Sequence, residues 1–347
     1  MKKKVLLIKL SSLGDVIFNV PLANALKDAG YEVTWLVSEK GIQIVENNPC
    51  VDKAILVPIK VWKKRGPSFQ SFKEYLSILK KLRAEKFDIA IDSQMMLKSL
   101  YWLAFCGAKR RIISKEGREL SLLGGNEWIN DISYAPDSPI VMNYLRYANY
   151  LGIEVKPEDI KVTLPARSKE QIEKVDNFLS NIDLSKPIIT IAPATTWANK
   201  HWNKDNWKEV INHFAPKCNI IFTGGPNDNE LIEYISGQKG LNLAGKTDIL
   251  ELAEIFSRSN LVIAPDSGSA HLAWASRNPK VIAIFTCTPR EVLGPLGSSD
   301  KYVSLGGCGL DCQPCFKRKC KLKENTNACT YTPSAKEVID AVEHLIF

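Results

Sequence analysis

Residues 4–30 read KVLLIKLSSLGDVIFNVPLANALKDAG, and this stretch decides the fold class. An apolar run rich in β-branched residues is interrupted by the polar loop SSLGD and then continues with helical periodicity, which predicts the first strand and helix of a β-α-β unit. The loop contains one glycine, whereas a dinucleotide-binding fingerprint needs three in the pattern G-x-G-x-x-G, so NAD is disfavoured. Asp15, at the end of this loop, therefore requires another explanation.

Strands and helices alternate through most of the chain, which predicts an α/β protein with parallel sheets covered by helices on both faces. The predicted strands are 5–10, 32–37, 54–58, 87–92, 188–193, 219–223, 261–265 and 281–285. The predicted helices are 15–29, 72–84, 168–180, 205–214, 250–257 and 334–346. A polar helix and the segment NIDLSKP separate the two sets, so we predict domains at 1–165 and 166–333, followed by a final helix at 334–347.

Composition and charge limit the classes of function. The 347 residues carry a net charge of +8, and residues 60–118 hold 15 basic against 5 acidic side chains. This excess predicts an anionic partner for the N-terminal half, although a solvated basic face that binds nothing is the simpler alternative. The sequence has no run of 18 apolar residues, and the N-terminus lacks the pattern of a signal peptide. We therefore expect a cytoplasmic protein.

Four loops that follow predicted strands are rich in groups that contact hydroxyls or phosphates. They are SSLGD at 11–15, DSQMMLKS at 92–99, ATTWANKHWNKDNW at 194–207 and DSGSAHLAWAS at 266–276. In the last loop Ser267 and Gly268 open a helix, whose free N–H groups favour an anion, and Lys200 offers a point charge. Ordinary capping of that helix is the alternative. The nearest match to a metal-binding Asp-x-Asp pair is Asp228-Asn229-Glu230, so a mechanism without metal is expected.

These four motifs, in this order, resemble family 9 glycosyltransferases, the heptosyltransferases of lipopolysaccharide inner-core synthesis, over essentially the whole chain. The resemblance implies the GT-B fold, with two Rossmann-like domains facing across a cleft. It also implies an acceptor bound by the first domain, an ADP-heptose donor bound by the second and a last helix that returns to the first. The implied reaction is an inverting, metal-independent and cofactor-free transfer of L-glycero-D-manno-heptose to a Kdo residue of the lipid A inner core.

By this resemblance Asp15 matches the catalytic base, and an aspartate ionised at neutral pH can take the proton of an acceptor hydroxyl. Lys200 is expected to meet the charge that develops on the leaving diphosphate. The other expected donor-site residues are Thr195, Thr196, Gly224, Gly225, Asp228, Asp266, Ser267, Gly268 and His271, with LAGKT at 243–247 beside the nucleoside. The expected acceptor-site residues are Ser12, Gly14, Lys63, Lys64, Arg65, Gln94, Lys98, Arg118 and Arg146.

The acceptor and its location are further implications of the resemblance. Kdo-lipid A carries carboxylates and phosphates, which suits the basic excess, and other lysines are expected to rest on the anionic cytoplasmic face of the inner membrane. DSQMMLKS with Arg118 and Arg146 favours type I, which uses Kdo. The tail segment CQPCFKRKC is closer to type II, which extends the first heptose, and another core sugar is a further alternative. Phe18 stands where the family often has a histidine.

Five of the nine cysteines lie between 308 and 329. Cys312, Cys315, Cys320 and Cys329 have the spacing C-x2-C-x4-C-x8-C, whose first pair suits a structural zinc, and thiol packing or a labile disulfide are alternatives. Basic residues between them raise the possibility of nucleic-acid binding, but only Phe316 and Tyr331 are available to stack on bases. A nucleotide-sugar or nucleic-acid binding protein without catalysis is a distant alternative, because a binding module has no need of Asp15.

Overall fold

A computed structural model describes residues 2–130, 138–298 and 300–347 of the chain. The chain divides into two units, Met1–Ala166 and Arg167–Phe347, one residue away from the boundary that the sequence predicts. Within the described ranges, no helix has the length and apolar character needed to cross a membrane.

The first unit contains one parallel sheet of six strands in the order β3-β2-β1-β4-β5-β6. The strands are β1 (Lys4–Ile8), β2 (Glu32–Ser38), β3 (Lys53–Val57), β4 (Ile89–Asp92), β5 (Arg110–Ser114) and β6 (Glu127–Ile129). The helices are α1 (Leu13–Asp28), α2 (Ile42–Val45), α3 (Ile59–Arg65), α4 (Phe69–Glu85), α5 (Leu97–Phe105) and α6 (Ile140–Tyr150).

Helix α1 lies in the centre of the first unit and packs against α6 and β2. Its residues from Val16 to Leu26 are buried almost all round, and Phe18 is only 3% exposed. A helix that is apolar on every side belongs in a core rather than at a surface. Phe18 is therefore a packing residue of this core.

The second unit repeats the architecture with six parallel strands in the order β12-β11-β10-β7-β8-β9. Its strands are β7 (Ile188–Ile191), β8 (Asn219–Phe222), β9 (Leu241–Asn242), β10 (Leu261–Pro265), β11 (Lys280–Phe285) and β12 (Tyr302–Gly306). Its helices are α7 (Lys169–Leu179), α8 (Lys204–Phe214), α9 (Asn229–Ser236), α10 (Ile249–Arg258), α11 (Gly268–Ala275), α12 (Arg290–Leu293) and α13 (Ala335–Ile346).

Counted from the first strand of each sheet, both units have the strand order 3-2-1-4-5-6 of a doubly wound nucleotide-binding domain. The order reverses between β1 and β4 in the first unit and between β7 and β10 in the second. Ligands of such sheets bind beyond the carboxyl ends of the strands at this reversal. The loops after these four strands are the four polar loops that the sequence singles out. The predicted pair of Rossmann-like α/β domains is confirmed.

The last helix, which the resemblance predicts to return to the first domain, has its apolar face packed on the sheet of the second unit. Helix α13 packs against α8, β11 and β12 within the second unit. Val338 and Val342 on its apolar face are fully buried in the same core as Ile282 and Ile284 of β11. The apolar stripe of α13 thus covers a hydrophobic face of this sheet.

Candidate functional site

The first polar cluster surrounds Asp15, the third residue of α1. The Ser12 backbone N–H and the Ser12 hydroxyl both donate to Asp15 Oδ2, at 2.9 and 2.8 Å. A carboxylate that accepts from the residue preceding its helix is typical of a helix N-terminus, where free N–H groups also favour a negative charge. The Asp15 side chain is 32% exposed. Asp15 is therefore oriented by its own helix and still accessible to a substrate.

Two buried residues that the sequence analysis missed hold the other oxygen of this carboxylate. The Tyr144 hydroxyl donates to Asp15 Oδ1 at 3.1 Å, and Lys9 Nζ donates to the Tyr144 hydroxyl at 2.7 Å. Lys9 Nζ also lies 3.6 Å from Asp15 Oδ1 and donates to the Ser93 carbonyl at 3.0 Å. Tyr144 is fully buried, and the side chain of Lys9 is 3% exposed. A lysine in the apolar run VLLIKL was the available signal for Lys9.

The charges in this cluster support one another. Burial raises the pKa of Asp15, but the charge of Lys9 and the hydrogen bonds from Ser12 and Tyr144 outweigh burial and lower this pKa below its usual value. Burial lowers the pKa of Lys9, while Asp15 and Asp92 act in the opposite direction. Asp15 is therefore ionised across the neutral range, which is the state that a general base requires.

Asp92 and Gln94 brace the loop that carries Asp15. Asp92 ends β4 opposite Ile8 of β1, and burial raises its pKa to about 6 despite hydrogen bonds from Ser99 and the loop backbone. Gln94 Oε1 accepts the N–H groups of Leu10 and Ser11 at 3.1 and 3.0 Å. Gln94 was predicted to bind the acceptor, but its carbonyl oxygen is occupied by the backbone of the β1 loop. It therefore positions the loop.

The predicted acceptor residues are only partly assembled around Asp15. Lys98 Nζ donates to the Ser11 hydroxyl at 2.6 Å, and burial together with the like charges of Lys9 and Lys63 lowers the pKa of Lys98. Lys63 and Lys64 are exposed in the last turn of α3.

The other predicted acceptor residues have different surroundings. The guanidinium of Arg65 is paired with Glu74 at 3.0 Å, so its charge is already compensated. The backbone N–H of Arg118 donates to the Met95 carbonyl at 3.0 Å, which places its loop beside the one after β4. Gly14 is buried in α1. Arg146 lies on α6, but the hydrogen bonds of Asp15 within the described residues come from Ser12 and Tyr144, not from Arg146.

The second polar cluster, in the second unit, is centred on Asp266 after β10. Lys200 Nζ lies 2.6 Å from Asp266 Oδ2, His271 Nε2 lies 3.3 Å from Oδ1, and Thr288 donates its hydroxyl to Oδ2 at 2.6 Å. Burial raises the pKa of Asp266, but His271 and Lys200 overcome it and hold this pKa well below its usual range. The structure thus brings together three residues that the sequence predicted and adds Thr288.

Helix α11 begins beside this cluster. Ser267 precedes its first turn in an extended conformation, and the buried Ser267 hydroxyl has no hydrogen-bond partner among the described residues. A buried hydroxyl without a partner is rare in proteins, and at a helix N-terminus it is available to an anionic ligand. Ser267 therefore does not cap the helix through its side chain, and its predicted role in anion binding stays a prediction.

The loop after β7 carries Lys200 and is internally ordered. The Thr195 hydroxyl donates to the Trp197 carbonyl at 2.9 Å, and the Thr195 carbonyl contacts His201 Nε2 at 3.0 Å. Thr196 is exposed in the same loop. The ammonium of Lys200 lies 4.8 Å from the centre of the Trp197 ring. Thr195 is therefore chiefly a loop-forming residue, and Trp197 is a neighbour of Lys200 that the sequence analysis did not select.

The loops predicted to line the nucleoside also meet in the second unit. The N–H of Gly245 donates to the carbonyl of Gly224 at 2.9 Å, and Gly225 donates its N–H to Asp228 Oδ2 at 2.7 Å. Gly245 has φ +72°, and a Cβ there would lie 2.9 Å from Pro226, so glycine is required for this close approach. The first loop follows β8 and the second follows β9, so both lie at the carboxyl ends of the strands, as Asp266 does.

The cysteines of the tail segment are free thiols. Across residues 2–130, 138–298 and 300–347, no group of three or more His, Cys, Asp or Glu side chains is arranged to hold a metal ion. The structural zinc considered for Cys312, Cys315, Cys320 and Cys329 therefore has no geometric support.

Two doubly wound α/β units, with polar clusters around Asp15 and Asp266 at the carboxyl ends of their strands, are the arrangement expected of a GT-B glycosyltransferase. Residues 75–326 match the family described as glycosyltransferase family 9 (heptosyltransferase). The match spans more than half of the chain, which therefore belongs to this family and is an enzyme of the glycosyltransferase class.

Individual relatives agree with this assignment. The chain is 27% identical to the lipopolysaccharide core heptosyltransferase OpsX of Haemophilus influenzae, over 87% of this chain and 84% of the relative. It is 24% identical to lipopolysaccharide heptosyltransferase 1 of Pseudomonas aeruginosa, over 96% of this chain and 89% of the relative.

Solved structures share the fold. A family 9 glycosyltransferase from Veillonella parvula superposes with a TM-score of 0.82 at 21% identity, over 99% of this chain and 98% of the other. The structure of the heptosyltransferase WaaC of E. coli with ADP superposes with a TM-score of 0.73 at 22% identity, over 99% of both chains. The predicted GT-B fold is confirmed.

Proposed function

We propose that this enzyme transfers L-glycero-D-manno-heptose from ADP-heptose to a Kdo residue of the lipid A inner core, with inversion and without a metal ion. Membership of the family and relatives named lipopolysaccharide heptosyltransferases support the general reaction. The observation that carries the mechanism is the orientation of Asp15, whose two oxygens are held by Ser12 and Tyr144 while its side chain stays 32% exposed.

In the proposed reaction Asp15 is the general base. Its carboxylate takes the proton of the acceptor hydroxyl as that oxygen bonds to the anomeric carbon of the heptose, while the bond from this carbon to the diphosphate breaks. One base is sufficient, because inversion is a single displacement. Lys9 and Tyr144 position the carboxylate and keep it ionised before the proton arrives. A positioned base typically contributes about 10²- to 10⁴-fold to the rate.

The second unit is proposed to bind the donor. The N–H groups at Ser267 and Gly268 and the ammonium of Lys200 are suited to the diphosphate, whose negative charge grows as it leaves. The loops around Gly224 and Gly245 are suited to the nucleoside. Because these groups supply positive charge and hydrogen bonds directly, the proposed step needs neither a metal nor another cofactor.

The acceptor is proposed to be anionic and membrane-anchored. Lys63, Lys64 and Lys98 give the first unit a positive surface, which attracts the carboxylates and phosphates of Kdo-lipid A. Phe69, Phe72 and Leu76 of α4 are exposed, although such side chains are usually buried. Exposed apolar side chains beside lysines are typical of proteins that lie on an anionic bilayer. These features support the proposal that the enzyme lies peripherally at the cytoplasmic face of the inner membrane.

The test uses purified enzyme, ADP-heptose and two acceptors, Kdo-lipid A and heptosylated Kdo-lipid A, with the product mass as the measurement. Heptose addition to Kdo-lipid A alone is the expected result. Addition only to the heptosylated acceptor would assign type II, and transfer to neither would contradict the proposal.

The matched variant is Asp15→Asn, which keeps the side-chain size. It should lose transfer by at least about 10²-fold, while ADP binding stays within twofold and the circular dichroism spectrum is unchanged. Substantial turnover by Asp15→Asn would remove Asp15 as the base.

A further inference from the structure

The cysteine-rich segment, residues 307–333, has no part in the proposed reaction, yet it holds the loop that carries Lys200. Asn199, which is 1% exposed, donates its side-chain amide to the Lys317 carbonyl at 3.0 Å and its backbone N–H to the Arg318 carbonyl at 3.4 Å. The N–H of Asn203 donates to the Thr330 carbonyl at 2.8 Å. The segment therefore supports the Lys200 loop from two places.

Side chains of the two segments meet at Trp197. The ring of Phe316 packs edge-on against the indole with 6.5 Å between ring centres. The guanidinium carbon of Arg318 lies 5.4 Å from the centre of the same indole, which is also within 4.8 Å of the Lys200 ammonium. Cation–π contact of this kind restricts where a flexible arginine points. Arg318 and Lys200 are thus two cations held beside one aromatic ring.

The pairing of Lys200 with a carboxylate leaves a task for a second cation. Lys200 is paired with Asp266 at 2.6 Å, so part of its positive charge is compensated before a diphosphate binds. Arg318 is exposed, and no carboxylate in the described part of the chain pairs with it. A guanidinium presents several donors in one plane, which matches two phosphate oxygens better than an ammonium does.

The cysteine-rich segment is anchored beside two buried cysteines. Cys287 is fully buried and Cys329 is 7% exposed. Burial raises the pKa of each to about 11, and neighbouring thiols of the segment act in the same direction on Cys329. Both therefore remain protonated at neutral pH and pack as small apolar groups. The N–H of Phe316 donates to the Cys287 carbonyl at 2.9 Å. This bond fixes the backbone two residues before Arg318 at a buried position.

We propose that Arg318 is a phosphate-binding residue for a nucleoside diphosphate and that the cysteine-rich segment serves to present it beside Lys200. The proposal rests on the proposed function of the second unit as the binding site of a nucleotide sugar. It extends that site to a segment far away in the sequence and assigns a specific task to a motif whose cysteines suggested a metal.

The experiment measures binding of ADP and of adenosine by calorimetry to the full-length protein and to two variants. Arg318→Ala removes the guanidinium but keeps the carbonyl that receives the N–H of Asn199. Lys319→Ala, the matched control, removes an exposed positive charge one residue away. Arg318→Ala should weaken ADP binding about ten- to a hundredfold, as for the loss of hydrogen bonds to a charged group. Adenosine binding by Arg318→Ala and ADP binding by Lys319→Ala should both stay within about twofold.

The outcomes separate this proposal from the proposed function. Absence of ADP binding by the unaltered protein would contradict the proposed function itself. Normal ADP binding by Arg318→Ala, or an equal loss in Lys319→Ala, would overturn the role of Arg318 while leaving the donor site intact. Arg318→Gln is the second variant in case the alanine variant is unstable, since it keeps a long polar side chain. Full ADP affinity in Arg318→Gln would likewise overturn the proposal.

Discussion

Replacing Tyr144 is expected to change both the stability of the protein and the rate of the reaction. Tyr144→Phe removes the hydroxyl that donates to Asp15 Oδ1 at 3.1 Å and accepts from Lys9 Nζ at 2.7 Å. Hydrogen bonds to charged groups contribute about 1.5–3 kcal/mol each, so we expect the free energy of unfolding to fall by about 3 kcal/mol. Loss of orientation of the base should lower kcat by between about ten- and a hundredfold.

The pH dependence has a definite sign. The hydrogen bond from Tyr144 lowers the pKa of Asp15, so its loss raises that pKa. The base acts in its ionised form, and the acid limb of the kcat profile should therefore move to higher pH in Tyr144→Phe. The other charged groups of this environment are Lys9, Lys98 and Asp92, and all three are unchanged in the variant.

Tyr147→Phe is the matched control for this experiment. Tyr147 lies on the same helix and is fully buried, but its hydroxyl donates to the Asp92 carbonyl at 2.7 Å and accepts the N–H of Ser114 at 3.2 Å. Its loss should lower stability and leave the acid limb of the profile unchanged. The assay is initial-rate heptose transfer between pH 5 and 9 with both substrates saturating. An acid limb of Tyr144→Phe that coincides with that of Tyr147→Phe would refute the reasoning.

Three further predictions concern the remaining features. Transfer activity should be unaffected by EDTA, and a loss that magnesium restores would contradict the metal-free mechanism. Changing Lys63 and Lys64 to glutamate should raise the acceptor KM more than the donor KM. The same change at the exposed residues Lys80 and Lys81 of α4 is the control and should raise the acceptor KM less. An equal rise of the acceptor KM in the two variants would argue against acceptor binding at Lys63 and Lys64. Leu345→Ala should lower the unfolding free energy by about 2–5 kcal/mol, measured by urea denaturation; an unaffected midpoint would contradict the packing of α13 in the second unit.

Apolar runs that are buried almost throughout predicted β1, β2, β4, β7, β8, β10 and β11, and the edge strand β3 was predicted as well. Sequence patterns missed β5, β6, β9 and β12, because edge strands such as β9 (Leu241–Asn242) are short and β5 begins with two arginines. Helical periodicity identified α13 but carries no information about which unit receives its apolar face. Hydrophobic periodicity is a property of one helix or strand, whereas its packing also depends on the surface that it contacts.

The same limit applies to the functional residues. Asp15, Lys200 and Asp266 were found because each follows a strand in a distinctive loop. Tyr144 was missed because it reaches Asp15 across 129 residues of sequence, and no local pattern marks that contact. Gln94 was selected by its motif, but the sequence does not show that its carbonyl oxygen accepts backbone N–H groups.

The buried ammonium of Lys9 has a practical consequence for capturing the enzyme with its substrates. Replacing Asp15 alone keeps the fold but leaves that ammonium with Asp92 as its remaining carboxylate, and a less compensated buried charge lowers the free energy of unfolding. Lys9→Met together with Asp15→Asn removes both charges and should yield an inert protein of near-normal stability. Such a double variant is the better starting point for crystals that contain donor and acceptor together, since neither turnover nor unfolding would deplete the complex.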